Sequence, residues 1–241
     1  MSPHAIPTAD HPPPPAPEPD PGAWHDERVS EESEIIIVGG GGHAREVAHV
    51  LRSRRLAGLP TPSLLGFADD GTVDTGLLAP FGPWLGGIGV AVQAHPRALV
   101  LGGVGDGTLR RRLVDGLPSP RAILHPTADV GEDVVLGDGT VICSHVSMTT
   151  GIVTGRHVHV SRGAAIGHDA VLGDFVSVMP LAAVSGAVRL DPGAYVGTGA
   201  VIRQGVHVGA DAVIGMGSVV LEDVAAGRTV VGNPARPHRG R

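Results

Sequence analysis

The sequence predicts two folded parts, an α/β Rossmann-like half-domain followed by a parallel β-helix. Three observations lead to this prediction: a short apolar run that ends in four glycines, a strict six-residue period in the second half of the chain, and an aromatic content of only 2% over 241 residues. We therefore divide the chain into three predicted segments, residues 1–33, 34–118 and 119–237.

Composition limits the class of protein. Hydrophobic residues make up 42% of the chain, enough for a core despite 37 Gly and 21 Pro. All 18 basic residues are Arg, which excludes a lysine Schiff base and a P-loop lysine. The net charge of −6 and the scarcity of stacking rings argue against a nucleic-acid partner. The single Cys143 excludes an intrachain disulfide and a cysteine zinc cage.

The first predicted segment, residues 1–33, holds nine of the 21 prolines together with Asp, Glu and His. Such a composition buries too little apolar surface to offset its ordering entropy, so we expect a disordered tail. The sequence shows neither the roughly 18 apolar residues of a membrane span nor the apolar region of a signal peptide. A cytoplasmic protein without a membrane span is therefore expected.

The second segment, residues 34–118, shows the βαβ pattern. Residues 35–38 are a fully apolar run, four glycines follow at 39–42, and apolar residues at helical spacing begin at Ala44. Further strands are predicted at 64–67 and 98–101, and a helix over 109–117. The N–H groups of a glycine turn between strand and helix suit a phosphate.

The third segment carries a six-residue period. Every sixth residue from Leu124 to Val220 is aliphatic or Met, with Thr154 as the exception. A second series, four residues further on, runs from Ala128 to Val224 and is small or β-branched. Two inward positions in six fit a short strand plus a tight corner, so three hexads close one triangular coil of 18 residues. Glycine often follows the first series, and we expect these glycines to relieve the cost of positive φ at the corners.

The order of these parts resembles a known enzyme family. The glycine turn and His43 precede the repeat, His168-Asp169 lies inside a hexad, and the repeat ends at Gly232-Asn233-Pro234-Ala235. Over residues 34–237 this layout resembles the hexapeptide-repeat sugar O-acyltransferases of the sialic-acid O-acetyltransferase type, which are related to N-acetyltransferases of UDP-linked 4-amino sugars. The resemblance implies a left-handed β-helix, acetyl-CoA as co-substrate, a sugar acceptor and a homotrimer.

His168 is the predicted general base. It is the third residue of its hexad, which places it at a corner and pointing outward, with Thr150 one coil below and Gly186 one coil above. Gly186 leaves open space beside the imidazole, and histidine has an ordinary pKa of about 6.5, which suits proton transfer. The resemblance implies that Asp169 orients the ring. The alternative interpretation is a surface histidine at a turn.

The resemblance also implies two binding regions. Gly41, Gly42 and His43 would line the diphosphate of a nucleotide-linked sugar, and Asp69 and Asp70 would reach the nucleoside. The alternative for these glycines is tight packing of strand on helix.

Acetyl-CoA would contact Ser177, Gly186, Thr198 and Met216, which might equally be ordinary turn or surface positions. Close relatives carry His where Ser177 stands. Thr198 and Met216 are 18 residues apart and are expected to stack on an edge other than that of His168, which fits a site shared between two chains.

The sequence therefore predicts an acyl-CoA-dependent acyltransferase acting on an amine or hydroxyl of a sugar. The alternatives are a non-catalytic hexapeptide-repeat protein that binds nucleotide sugars or acts as a scaffold, and an acyltransferase for an amino acid, which the βαβ unit disfavours. His145, His157, His159 and His207 point outward by phase, but no His-x4-His pair suited to zinc occurs in the repeat, so no metal site is predicted.

Overall fold

The computed structural model describes residues 33–238, so most of the predicted tail lies outside the described residues. The amino-terminal unit forms a three-stranded parallel sheet in the order β2-β1-β3, with β1 in the centre and fully buried from Ile35 to Val38. Its elements are β1 (Glu34–Val38), α1 (Gly42–Leu56), β2 (Ser63–Ala68), α2 (Thr75–Leu78), α3 (Ile88–Ala94), β3 (Leu99–Gly102) and α4 (Gly107–Val114). The predicted Rossmann-like arrangement is confirmed, and the short helices α2 and α3 are additions that the apolar pattern did not indicate.

The repeat forms a triangular prism of short strands. Three sheets run along it, and each strand pairs in parallel with the strand 18 residues away, as Ile166 does with Met148 and Val184. The first face holds β4 (Ile123–Leu124), β6 (Val141–Ile142), β9 (His159–Val160), β12 (Ser177–Val178), β15 (Tyr195–Val196), β18 (Val213–Ile214), β20 (Thr229–Val231) and β21 (Arg236–Pro237). The second face holds β5 (Asp129–Val130), β7 (Ser147–Met148), β10 (Ala165–Ile166), β13 (Ala183–Val184), β16 (Val201–Ile202) and β19 (Val219–Val220), and the third holds β8 (Val153–Thr154), β11 (Val171–Leu172), β14 (Arg189–Leu190) and β17 (His207–Val208).

Both predicted inward series meet in one continuous apolar core along the prism axis. Thr154, the one polar member of the first series, is 4% exposed, and its hydroxyl oxygen accepts a hydrogen bond from the Gly137 N–H at 3.2 Å. The interior therefore tolerates this hydroxyl because a backbone donor of the neighbouring coil satisfies it.

The expected reason for the glycines after the first series is wrong. Positive φ occurs instead two residues later, at every sixth residue from Gly139 to Gly217, and seven of these residues are not glycine. The glycines after the first series are needed for close backbone contact: a Cβ on Gly167 would lie 2.6 Å from the backbone nitrogen of Gly186 in the next coil. A side chain there would push the coils apart.

The amino-terminal unit covers the first face of the prism. Residues of α1 share a buried apolar cluster with Ile123 and Val141 of that face, and the fully buried Arg110 of α4 reaches from the unit into the prism wall. Within residues 33–238, no helix is long and apolar enough to cross a membrane.

Candidate functional site

His168 and Asp169 lie on the edge between the second and third faces, in the corner that joins β10 to β11. His168 Nδ1 is 2.8 Å from Asp169 Oδ2, and the two side chains are 52% and 67% exposed. Asp169 has a left-handed φ of 59°, and its N–H donates to the Thr150 carbonyl at 3.0 Å. Because an ionised carboxylate only accepts, Nδ1 carries the proton and Nε2 of the neutral ring presents a lone pair.

Gly186 lies against the free side of this imidazole. A Cβ at Gly186 would overlap His168 Nε2 and lie 2.6 Å from His168 Cε1, so only glycine leaves this side of the ring open. The Gly186 N–H takes no part in the coil-to-coil backbone bonds of the described residues. The edge thus offers a proton acceptor and a backbone donor side by side, as acyl transfer requires.

The amino terminus of α1 is open. Gly41 caps this 15-residue helix without a side-chain hydrogen bond, and the first turn contains no acidic residue. Gly41 and Gly42 are exposed, and nothing lies within 4 Å of a Cβ built on Gly41. Tight packing explains Gly39 instead, where a Cβ would lie 2.9 Å from the Gly103 carbonyl oxygen. The free N–H groups at the positive end of α1 suit an anion.

Asp69 and Asp70 shape the loop beside this turn. Asp69 accepts hydrogen bonds from the N–H groups of Gly40 and Gly71, both at 2.7 Å. Asp70 accepts from the Ile88 N–H at 2.8 Å, at the start of α3. The structure brings both carboxylates close to the glycine turn, and their contact with a nucleoside stays a prediction.

The His43 side chain points toward the β-helix. Its Nε2 lies 2.7 Å from Nδ1 of His159, and the two rings stack with centroids 4.9 Å apart. His43 Nδ1 is 3.6 Å from Glu46, which also pairs with Arg162. Contact with His43, and then with Arg162, lowers the pKa of Glu46 to about 2 against the opposing effect of burial. Only the backbone of His43 remains directed toward the glycine turn as a binding group.

Ser177 lies inside the junction between the two parts. It is fully buried, and its hydroxyl accepts a hydrogen bond from Arg110 at 3.1 Å. The Arg110 guanidinium also donates to the carbonyls of Val104, His157 and Phe175. Burial lowers the pKa of Arg110 to about 9, so it remains a cation at neutral pH. The observed role of Ser177 is to hold this cation, and its contact with CoA stays a prediction.

Thr198 and Met216 stack on the edge between the first and second faces. The Gly217 N–H donates to the Thr198 carbonyl at 2.9 Å, and Met216 is 80% exposed. The prediction placed these two residues on a different edge from His168, and the strand order agrees with that placement. The four residues predicted to contact acetyl-CoA therefore occupy three separate places on one chain, with Gly186 alone beside His168.

Sequence reasoning missed the polar contents of the junction. His157 and His159 point outward from the prism, as predicted, yet both are only 2% exposed because the amino-terminal unit covers them. Burial lowers the pKa of His157 to about 4 and that of His159 well below its ordinary value. Arg110 was also missed, since it stands in a run of three arginines typical of a solvated helix face. The described residues contain no group of three or more His, Cys, Asp or Glu arranged to hold a metal ion.

Comparison with known proteins relates this geometry to an enzyme class. The PglD N-terminal domain matches residues 34–117. The acetyltransferase domain of PglB from Neisseria gonorrhoeae FA1090, in complex with acetyl coenzyme A, is 28% identical, covers 86% of this chain and 100% of its own, and superposes with a TM-score of 0.74.

Two further solved structures agree. PerB from Caulobacter crescentus, in complex with CoA and GDP-perosamine, is 28% identical with coverage of 86% and 98% and a TM-score of 0.73. WeeI from Acinetobacter baumannii AYE is 29% identical with coverage of 86% and 100% and a TM-score of 0.72. Among curated proteins, none matches this sequence. The matches confirm the predicted fold, with its left-handed β-helix, and the predicted class, an acetyl-CoA-dependent acyltransferase similar to the 4-amino-sugar N-acetyltransferases.

Proposed function

We propose that the protein transfers the acetyl group of acetyl-CoA to the amino group of a nucleotide-linked amino sugar, with His168 as general base. The observation that carries this proposal is the His168 imidazole itself, whose Nδ1 is bound to Asp169 while Gly186 keeps the Nε2 side open. The similar PerB structure, which holds CoA together with GDP-perosamine, supports an amine acceptor on a nucleotide sugar.

The reaction proceeds as a direct transfer. The acceptor nitrogen attacks the thioester carbonyl carbon, and His168 Nε2 takes the proton that the nitrogen loses. Asp169 holds the ring in the tautomer that allows this and stabilises the imidazolium that forms. The N–H of Gly186 stabilises the oxyanion of the tetrahedral intermediate. The C–S bond then breaks, and the CoA thiolate takes the proton back from the imidazolium.

The nucleotide sugar binds at the amino terminus of α1. The N–H groups of Gly41, Gly42 and His43 hold the diphosphate, because they are unused in the helix and lie at its positive end. The loop that carries Asp69 and Asp70 adjoins this turn and contacts the nucleoside. The open space around Gly41 supports this placement.

The site is shared between subunits of a homotrimer. The amino-terminal unit covers the first face of the prism, whereas His168 lies on the opposite edge, between the second and third faces. A sugar held at α1 therefore reaches the His168 of a neighbouring subunit more readily than that of its own chain. Gly186 beside His168, together with Thr198 and Met216 on a different edge, lines the groove for acetyl-CoA between two prisms. We place the enzyme in the cytoplasm, where acetyl-CoA and nucleotide sugars are made.

A panel of acceptors tests the proposal. The purified protein is incubated with acetyl-CoA and UDP- or GDP-linked 4-amino sugars, the same sugars without nucleotide, or nucleotide sugars that offer only hydroxyls, and products are detected by mass spectrometry. We expect acetylation of nucleotide-linked amines alone. Efficient acetylation of free sugars or of hydroxyl acceptors, with nucleotide-linked amines left unmodified, would contradict it.

A further inference from the structure

His159 is a buried histidine with one polar contact to α1. It lies on β9 of the first face, 2% exposed, and its Nδ1 is hydrogen-bonded to His43 Nε2 at 2.7 Å. Its other ring nitrogen, Nε2, is buried and makes no hydrogen bond within the described part of the chain. Leaving a buried nitrogen unsatisfied is unfavourable, so a purely apolar contact at this position would stabilise the fold better.

The bond from His159 fixes one particular element. His43 is the second residue of α1, directly after the exposed glycines whose N–H groups point away from the helix. The imidazole of His43 lies between His159 on the prism and Glu46 one turn along α1. Glu46 is in turn paired with Arg162 of the prism edge. The first turn of α1 is therefore tied to the β-helix through side chains on both sides of His43.

The charged groups around the pair keep His159 neutral. Arg110 of α4 and the ring of His157 lie near it on the prism side, and Glu46 with Arg162 lies on the α1 side. Burial is the largest cause of the lowered pKa of His159, and the Arg110 cation acts in the same direction. A neutral His159 either donates or accepts at Nδ1, so it can bond His43 in either tautomer.

We propose that His159 is a positioning residue for the nucleotide-linked substrate, because through His43 it sets the place of the α1 amino terminus relative to the β-helix. This inference rests on the proposed function, which puts the diphosphate at that terminus. It assigns to the prism wall a role in sugar-nucleotide binding that is separate from the His168 edge and from the groove for acetyl-CoA.

Substitutions that differ only in where a polar atom stands test the proposal. Asn places a polar atom where His has Nδ1, Gln places one near Nε2, and Leu has the shape of Asn without the polar atom. We expect His159→Leu and His159→Gln to weaken binding of UDP or GDP, measured by calorimetry on the full chain, by roughly five- to ten-fold, the effect of one hydrogen bond. His159→Asn should stay within about two-fold of wild type, and the KM for acetyl-CoA should change in none of them.

His157→Leu is the matched control, since His157 is equally buried under the same unit but bonds Ser119 rather than α1. It should lower the melting temperature and leave nucleotide affinity unchanged. Equal nucleotide affinity in the Asn and Gln variants, or the same loss in His157→Leu, would overturn the positioning role while leaving the proposed function in place. A wild-type protein that binds neither UDP nor GDP would instead overturn the nucleotide site, and this inference with it. If His159→Leu fails to fold, the comparison of Asn with Gln still decides.

Discussion

The chemistry available to His168 depends on its neighbours along one edge of the prism. Asp169 follows it in sequence and occupies Nδ1, while Gly186 stands one coil above and leaves the opposite side of the ring free. His207 offers a comparison, because its Nε2 is 2.8 Å from Asp191 and the side chain is similarly exposed at 47%. It uses Nε2 for its carboxylate and stands on a face rather than at a corner.

We expect His168→Ala to lower kcat by about 100-fold or more, the usual effect of losing a general base, with the fold unchanged. His207→Ala, which also removes an exposed imidazole paired with an aspartate, should keep wild-type turnover. Steady-state rates for the two variants, with circular dichroism to check folding, make the comparison. Near wild-type turnover in His168→Ala would remove His168 as the base.

At the scale of the repeat, two kinds of glycine have different physical reasons. Gly209 has no room for a side chain, because a Cβ would lie 2.5 Å from the backbone nitrogen of Ala226 and 2.8 Å from its Cα. Gly205 has open space around it but a φ of 74°. Ala187 occupies the same phase one coil earlier with a φ of 54°, so alanine is tolerated there.

Gly209→Ala should therefore destabilise the protein by roughly 2 kcal/mol or more, through forced separation of two coils. Gly205→Ala should cost only about 1 kcal/mol, the penalty of a left-handed backbone for alanine. Urea unfolding of both variants measures the difference. Equal losses would mean that backbone strain, rather than close contact, explains both glycines.

The junction elements make stability depend on pH. The pKa of His157 is about 4 in the folded protein and about 6.5 when unfolded, because burial disfavours the charged ring. The unfolded chain thus binds more protons below pH 6.5, and stability present above that pH is lost as pH falls toward 4. Between pH 6.5 and 5 the loss should be about 2 kcal/mol from this residue.

His159 should add to that loss in the same direction, since its pKa is also lowered by burial. Glu46, whose pKa is about 2, contributes only below its ordinary value of 4.5, so measurements stopped at pH 5 exclude it. Unfolding free energies of wild type and His157→Leu at pH 8, 6 and 5 provide the check. A variant as sensitive to acid as the wild type would show that His157 is not a source of the dependence.

These elements also show what a periodic sequence can predict. The six-residue phase correctly placed the inward residues, the stacking of Thr198 under Met216 and the position of Gly186 beside His168. It gives direction only relative to the prism axis, so it could not tell that the first face is covered. His157 and His159 therefore looked like surface residues, and Arg110 looked like part of a solvated arginine run. The contacts that bury them join segments more than 40 residues apart, which no local pattern reports.

At the scale of the whole molecule, the two halves of the proposed site lie on opposite sides of one prism. The covered first face and the His168 edge are separated by the apolar core. A trimer with shared sites resolves this separation, since each site then takes His168 from one chain and the α1 terminus from the next.

Mixed assembly tests this arrangement. His168→Ala and Gly41→Val should each be inactive toward the nucleotide sugar at low substrate concentration, the second because a valine side chain blocks the approach of phosphate to the N–H groups. Co-refolding equal amounts should restore roughly a quarter of wild-type activity, the chance that two neighbouring chains supply one intact site. Light scattering gives the oligomeric state. No recovery in verified mixed trimers would place the whole site within one chain.

The two periods of the prism have unequal tolerance for inserted sequence. Adding one hexad above His168 would leave every inward residue inward, because the core repeats every six residues. It would also turn the rest of the stack by one side, so that Gly186 no longer stood over His168 and Met216 moved to another edge. Adding 18 residues would restore each edge but raise its upper part by one coil. Folding therefore accepts length changes in multiples of six, whereas an intact catalytic edge confines changes to whole coils placed away from it.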